Sequence, residues 1–514
     1  MNGAQALLRT LVAGGVDTCF MNPGTSEMHF VAALDDVPEM RSVLALFEGV
    51  ATGAADGYAR MAGRPAAVLL HLGPGLGNGL ANLHNARRAR TPVLNVVGDH
   101  ATYHKPLDAP LESDIDSIAA GVSGWIRRPL KTSELPADAA DALAAAWGPP
   151  GQVATLILPA DVSWSEGASP AGAPALRPPP PPSESAVESA AAALESGRPA
   201  GLLVGGRACT AALLDRLGAI AAGTGARLLC ETFPARIRRG AGVVAPERLA
   251  YLGEMAAAQL EGLAHLVLVD AKSPVSFFAY PGKPSDLVPD GCRVHPLCGP
   301  AEDVAAAVEA LASLVPTVAP RLPPSERPDP PSGPLTASAL ADAVGLLLPE
   351  EAVVADESNT SGLFVAAATA GAPPHDWMTL TGGSIGIGMP LAAGAAVASP
   401  GRRVLALEAD GSAMYTVQAL WTMAREGLDV TTVVLANHSY AILNMELQRV
   451  GAGAGGPRAR RMLDLSGPDI DFVSLARGMG VPASRATTAE ELVDQLGRAL
   501  SEPGPSLVEA VVVR

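Results

Sequence analysis

The chain of 514 residues is long enough for about three domains of ordinary size, which excludes a small disulfide scaffold or a lone binding module. Hydrophobic residues make up 48% and charged residues 17%, a balance that folds around sizeable cores instead of remaining disordered. Lys and Arg number 36 against 52 Asp and Glu, a formal net charge of −16, and no basic run offers the footprint that nucleic acid or an anionic membrane would need.

The N-terminus, MNGAQALLRT, lacks the basic start, apolar stretch and cleavage site of a secretory signal, so the expected location is the cytoplasm. The five cysteines, Cys19, Cys209, Cys230, Cys292 and Cys298, are scattered without a CxxC and read as buried, reduced thiols. Proline-rich segments at 166–184 and 318–334 read as extended linkers. They leave blocks 1–165, 185–317 and 335–514, each the size of one domain.

Within the blocks, apolar runs at Val43 to Phe47, Ala67 to Leu72, Val93 to Val97, Leu266 to Asp270, Val404 to Leu407 and Thr431 to Leu435 alternate with Ala-rich helical stretches. The expected fold class is therefore α/β, three domains each built on a mostly parallel sheet covered by helices. In the first block, SVLALF ends at Glu48 and AAVLLH ends at His71. The GPGLGNG that follows His71 lacks both the GxGxxG register and the later acidic partner of a dinucleotide site. In the middle block LLVGGRA forms a strand-to-glycine turn. In the last, the uncharged stretch Trp377 to Gly401 could span a bilayer by length, but it is broken by five glycines and Pro390 and reads as buried loop and helix.

The most informative pattern follows. The strand RRVLALEA runs into Asp410-Gly411-Ser412, a helix is expected from about Tyr415 to Glu426, and VTTVVLAN ends at Asn437. In such a βαβ unit the carboxyl ends of both strands share one edge of the sheet, so Asp410 and Asn437 converge. A carboxylate, an amide oxygen and the backbone carbonyl of Ser439 would hold Mg2+ by three oxygens, leaving positions for phosphate oxygens and water. The helix start after Gly411 and Ser412 offers N–H groups to the same anion.

These residues resemble the thiamine-diphosphate motif of the superfamily that includes pyruvate oxidases, acetolactate synthases and benzoylformate decarboxylases. The family usually reads Gly-Asp-Gly and Asn-Asn where this chain has Ala409-Asp410-Gly411 and Ala436-Asn437. SAMYTVQALWTMA resembles the next helix of benzoylformate decarboxylases, and Glu357-Ser358-Asn359-Thr360 resembles their diphosphate-contacting turn, with Asn359 and Thr360 as the contacts. The resemblance implies pyrimidine, middle and diphosphate domains in that order. The cofactors it implies are thiamine diphosphate and Mg2+, with Gly411, Ser412, Ser439 and Tyr440 completing the cofactor contacts. It also implies a homodimer or homotetramer with active sites between subunits.

By the same resemblance, Glu48 is the carboxylate that bonds N1′ of the aminopyrimidine and promotes the imino tautomer; the alternative is that it merely favours the start of its helix. In LTGGSIGIGMPLAAGAA, Ile385 aligns with the bulky residue beneath the bend of the cofactor and the Gly383 carbonyl with the acceptor for the 4′-amino group. Thr25, in Asn22-Pro23-Gly24-Thr25, aligns with a serine near the substrate carboxylate. His71 aligns with a proton-transfer histidine, a role that a pKa near neutrality suits, although a structural histidine at a strand end is as common.

Departures bear on the substrate. SPVSFFAYPG has Phe278 and Ala279 and no histidine where benzoylformate decarboxylases carry their second one. AKSPVS has no arginine of the acetolactate-synthase kind, only Lys272. His438 stands where the family usually has glycine, and Gly451 to Arg461 reads as a loop over the site. FAD, which acetolactate synthases bind, has no motif of its own here and is left open. The implied function is a decarboxylase or carboligase acting on a small 2-oxo acid. The ylide would attack the oxo carbon, CO2 would leave, and the enamine would be protonated or would attack a second carbonyl, as in an acetolactate synthase. Two other classes remain, a non-catalytic paralogue serving as an assembly partner, which Ala409 and Ala436 would suit, and more distantly a nicotinamide-dependent dehydrogenase.

Overall fold

In the computed structural model, which describes residues 1–513, the apolar runs assemble into three sheets. The first runs in the order Arg41–Leu44, Thr18–Asn22, Ala66–Leu70, Val93–Asp99, Val153–Pro159 and Trp125–Arg127, all parallel. Its central strands are buried along their whole length because helices cover both faces, which is why they read as unbroken apolar runs. The second sheet runs Glu247–Arg248, Arg227–Cys230, Ala200–Val204, His265–Val269 and Arg293–Cys298, again all parallel. The third runs Ala483–Ala486, Ser506–Val511, Val430–Ala436, Val404–Ala409, Val353–Glu357 and His375–Thr379, parallel throughout, and ends on a seventh strand, Arg236–Arg239.

That last strand belongs in sequence to the middle segment and pairs antiparallel with His375–Thr379, setting Ile237 opposite Trp377. Its alternation explains the edge position: Ile237 turns into the core, while Arg236 and Arg238 both reach Asp376. Residues 165–183 and 315–336 contain neither helix nor sheet strand among the described residues.

In each sheet the strand order reverses at an inner strand, Thr18–Asn22, Ala200–Val204 and Val353–Glu357. Parallel crossovers bring all carboxyl ends to one edge, and ligands of such sheets bind beyond that edge at the reversal. The first and third sheets share one hydrophobic cluster, which runs from Phe20 and Val43 to Leu391 and Val434. A second cluster, from Leu202 and Val267 to Leu405 and Val433, joins the middle sheet to the third.

Several elements depart from their expected bounds. The helix expected from Tyr415 is split into Asp410–Ala413 and Ala419–Glu426. The turn between them is drawn toward the neighbouring loop, where the Thr416 hydroxyl donates to the Gly386 carbonyl at 2.9 Å. The run 451–461 contains a short helix, Pro457–Arg461. Cys292 is only half-buried, unlike the four buried cysteines, and none forms a disulfide. The stretch from Trp377 resolves into the end of a strand, a loop and the buried helix Gly388–Ala398, and among the described residues no helix is long and apolar enough to cross a membrane.

The helix Gly388–Ala398 packs against the helix Glu48–Ala62 of the first block, and the backbones touch. A Cβ on Gly57 would fall 2.0 Å from the Leu391 carbonyl oxygen, and one on Gly394 would fall 1.8 Å from that of Ala54. Backbone cannot yield as a flexible side chain does, so Gly394→Val should destabilise the fold by at least the roughly 1–3 kcal/mol typical of overpacking. Thermal unfolding of the variant checks this as a lowered midpoint.

Candidate active site

At the carboxyl edge of the first sheet, three expected residues follow three adjacent strands. Thr25 opens a short turn after Thr18–Asn22, Glu48 is the first helical residue after Arg41–Leu44, and His71 follows Ala66–Leu70. Thr25 is exposed. Glu48 is 7% exposed, and its Oε2 accepts a hydrogen bond from Asn78 Nδ2 at 3.0 Å. Its position in the first helical turn also satisfies the helix-start reading, yet the carboxylate bonds to the neighbouring helix Leu72–Ala89.

His71 is held by a residue absent from the expected set. Its Nδ1 lies 2.8 Å from Glu27 Oε2, and the same oxygen accepts the Gly24 N–H at 2.8 Å. Glu27 is fully buried; burial raises its carboxyl above the ordinary value, with the charge of His71 and the Gly24 N–H pulling it back. Gly24 is glycine for want of room, since a Cβ there would lie 2.3 Å from His71 Nδ1.

At the carboxyl edge of the third sheet, the segments after Val353–Glu357, Val404–Ala409 and Val430–Ala436 meet. Asp410 is 3% exposed; its Oδ1 accepts the Gly411 N–H at 2.8 Å and its Oδ2 the His438 N–H at 2.6 Å. Asn437 donates to the Ser361 hydroxyl at 2.9 Å and accepts the Ser439 N–H on Oδ1 at 2.9 Å. Asn359 donates to the Ser412 hydroxyl at 3.0 Å, and Thr360 lies beside it in the turn Asn359–Gly362. The Tyr440 ring lies against Gly411, leaving no room for a side chain there. His438 adopts φ +54, the left-handed region that explains why glycine is at home in this position, and its Nδ1 lies 3.5 Å from Asp469 Oδ1.

Between the two edges runs the loop 382–387, held from both sides. Glu357 accepts the N–H groups of Gly386, Ile387 and Gly388 at 2.7, 2.8 and 2.6 Å. From the first block, Asn82 donates to the Gly386 carbonyl at 3.1 Å and Asn85 to the Ser384 carbonyl at 2.8 Å. Ile385 is half-buried against the shared core, and Gly383, at φ +74, sits under the ring of Phe277. Phe277 belongs to an aromatic cluster with Phe233, Tyr251 and Phe278. Glu357, Asn82 and Asn85 are structural supports that motif reading passed over, because nothing in the local pattern links them to a loop about 30 or 300 positions away.

The donor set suits a hard cation shared with phosphate. Among the described residues no group of three or more His, Cys, Asp or Glu is placed to hold a metal, so a cation here would rely on mixed oxygens: the Asp410 carboxylate, the Asn437 amide and a backbone carbonyl. Burial raises Asp410 above the ordinary carboxyl value, with the Gly411 and His438 N–H groups pulling it back, and a bound cation would favour the charged form that burial opposes. The residues present therefore fit Mg2+ with a diphosphate.

The model of the thiamine pyrophosphate enzyme N-terminal TPP binding domain matches residues 1–120, and that of the C-terminal TPP binding domain matches residues 360–510. The chain is 62% identical over 518 residues to a Mycobacterium tuberculosis protein named "Putative acetolactate synthase large subunit IlvX", covering 100% of this chain and 99% of that one. It is 31% identical over 529 residues to benzoylformate decarboxylase of Pseudomonas aeruginosa, covering 96% of each. The solved Rhodococcus jostii RHA1 thiamine diphosphate-dependent 4-hydroxybenzoylformate decarboxylase has the same fold, with a TM-score of 0.87 at 24% identity over 100% of this chain and 99% of that one. The chain is thus a thiamine-diphosphate-dependent enzyme by its fold and its relatives. The chain belongs to the superfamily of acetolactate synthases and benzoylformate decarboxylases.

One buried group yields a test. Glu408 lies fully buried beside Glu357; burial, and then the neighbouring Glu357, raise it well above its ordinary 4.5, while burial lifts Glu357 to about 7 against the pull of its three N–H groups. A carboxyl whose folded pKa is raised keeps a proton that the unfolded chain loses. Its contribution is complete below the unfolded value and is lost as pH rises through the folded one. Glu408→Gln should therefore flatten the fall in the apoprotein's melting temperature as pH rises above the ordinary carboxyl value of 4.5. Parallel thermal scans of the two proteins measure this.

Proposed function

We propose that the chain is a thiamine-diphosphate- and Mg2+-dependent decarboxylase or carboligase of small 2-oxo acids. The observation that carries this reading is the convergence of Asp410, Asn437, Asn359 and Ser412 at one strand-order reversal, with Glu48 buried at the equivalent edge of the first sheet. Asp410, Asn437 and the Ser439 carbonyl would hold the metal; Asn359, Thr360, Gly411, Ser412 and Tyr440 would hold the diphosphate end. When bound, the cofactor supplies a carbon nucleophile for the 2-oxo group and a sink for the electrons left when CO2 departs.

The protein's own part is to orient and to move protons. Glu48, fixed by Asn78, would exchange a proton with N1′ of the aminopyrimidine. The Gly383 carbonyl would accept from the 4′-amino group, and Ile385, backed by the shared core, would support the bend. Thr25 would orient the substrate carboxylate. With Phe278 and Ala279 in place of a second histidine, His71 and the Glu27 that holds it would move the proton at the reacting carbon.

A homodimer or homotetramer in the cytoplasm, with sites between subunits, completes the proposal. Leu46, Leu363, Phe364 and Tyr415 are exposed and adjoin the site residues in sequence, and an apolar surface of that kind is suited to a second copy. The relative named as an acetolactate synthase large subunit favours joining two carbonyl compounds, and the benzoylformate decarboxylase relative favours release of an aldehyde. Incubation with pyruvate and with benzoylformate, with products identified, chooses between them.

Glu48→Gln should lower kcat by about 10² to 10⁴, the usual size of acid–base assistance, with the fold intact by circular dichroism. Full activity in that variant would remove Glu48 from the mechanism. Asp410→Ala should weaken Mg2+ and thiamine diphosphate together in calorimetric titration. Unchanged affinity for both would withdraw the metal assignment, and no binding to the unmodified protein would overturn the reading as a whole.

A further inference from the structure

The middle sheet has the same kind of reversal, between Ala200–Val204 and His265–Val269, and a glycine turn, Gly205-Gly206-Arg207, follows the strand at that point. In open α/β sheets a turn of this kind offers free backbone N–H groups to the diphosphate of a nucleotide. In this chain those groups are already bonded. The Gly206 N–H donates to Glu231 Oε1 at 3.0 Å, the Arg207 N–H to Asp270 Oδ2 at 2.8 Å, and the Gly205 N–H to the Val269 carbonyl at 3.1 Å. Glu231 and Asp270 each follow a strand flanking the turn, and Asp270 holds φ +50 in doing so. A Cβ on Gly206 would lie 2.4 Å from Asp270 Oδ2, so the carboxylate presses on the turn where a phosphate would approach.

The second oxygen of Asp270 accepts from Arg90 Nη1, and Arg90 Nη2 donates to the Asp270 carbonyl at 3.1 Å. Arg90 caps the helix Leu72–Ala89 of the first domain, so the pair crosses between domains, with the Asp270 side chain 1% exposed. Arg207 sets its Nε 3.9 Å from Asp270 Oδ2 and spends its Nη2 on the carbonyls of Pro300 and Glu302 at 2.9 and 2.6 Å. A cavity of about 730 Å³ adjoins this point and has room for a nucleotide. The other arginines facing it are also taken: Arg236 and Arg402 by Asp376, Arg238 by Glu351, and Arg60 by Asp56.

We propose that Asp270 and Glu231 occupy the diphosphate position of the middle domain, converting a nucleotide crevice into a carboxylate clamp that fastens the first domain to the middle domain through Arg90, so that neither FAD nor ADP binds there. A nucleotide would have to displace both carboxylates and then face them as like charges. The inference is independent of which 2-oxo acid reaction the enzyme performs.

Two measurements test it. The full-length protein, in excess thiamine diphosphate and Mg2+ so that the diphosphate site is filled, is titrated calorimetrically with FAD and with ADP. No saturable binding is expected for either, and saturable binding of one of them overturns the proposal. In urea unfolding, Arg90→Gln and Asp270→Asn should each reduce the folding equilibrium constant about tenfold or more, because the first leaves the buried Asp270 with only the more distant Arg207 and the second leaves the partly buried Arg90 without its carboxylate. The double variant should lose no more than the more damaging single one. Strictly multiplicative losses, or single variants as stable as the parent, overturn the clamp. If a variant does not fold, the nucleotide titration of the unmodified protein still decides.

Discussion

The backbone-to-backbone contact of two helices, Glu48–Ala62 and Gly388–Ala398, sets the geometry on which the site depends. One helix begins with the candidate activating carboxylate, and the other follows the loop 382–387. Because Gly57 and Gly394 let the helices touch at their carbonyl oxygens, Asn82 and Asn85 on the adjacent helix reach that loop and bond its carbonyls. A wider helix spacing would leave those amides short of their partners. The shared core of the first and third sheets then resists any sliding of one domain over the other, since interior packing is bistable and not continuously deformable.

Buried acids do the finer positioning, and each illustrates how a charge is tolerated away from water. Glu357 gathers three backbone N–H groups, Glu27 gathers one N–H and an imidazole, and Asp410 gathers two N–H groups. Hydrogen bonds of this kind offset part of the desolvation, which the charge of His71 also opposes at Glu27, and they fix the loop backbone that donates them. Glu408 has no such set of donors, and burial together with the neighbouring Glu357 favours its protonated form.

How much of this could be read from the sequence depended on range. Apolar strands such as Val93–Asp99 and the interval from Asp410 to Asn437 were legible, because burial on both faces and the βαβ connection leave local patterns. The edge strand Arg236–Arg239 was not: three arginines in four residues carry no strand signal, and its pairing with His375–Thr379 is a tertiary choice. The helix break at 414–418 arises from a bond to Gly386, a partner that no local propensity could supply. Glu27 lay in plain view, three residues after Gly24, yet its meaning appears only when His71 arrives from another strand. Asn82 and Asn85 were hidden for the same reason.

The three sheets also show that a topological site and a working site are different things. All three reverse strand order and so place turns around a crevice. In the third, Asp410 and Asn437 are anchored by neighbouring N–H groups, an arrangement that suits a metal and a diphosphate. In the first, Glu48 is bonded by a single amide and His71 by a single carboxylate, an arrangement suited to proton exchange. In the middle sheet the N–H groups of the glycine turn end on the chain's own carboxylates, and the nearby arginines end on acids. A fold can supply the crevice three times over, but chemistry becomes available only where the chain leaves its polar groups something other than each other to bind. The middle sheet is instead tied to its neighbours, to the first through Arg90 and Asp270 and to the third through the strand Arg236–Arg239.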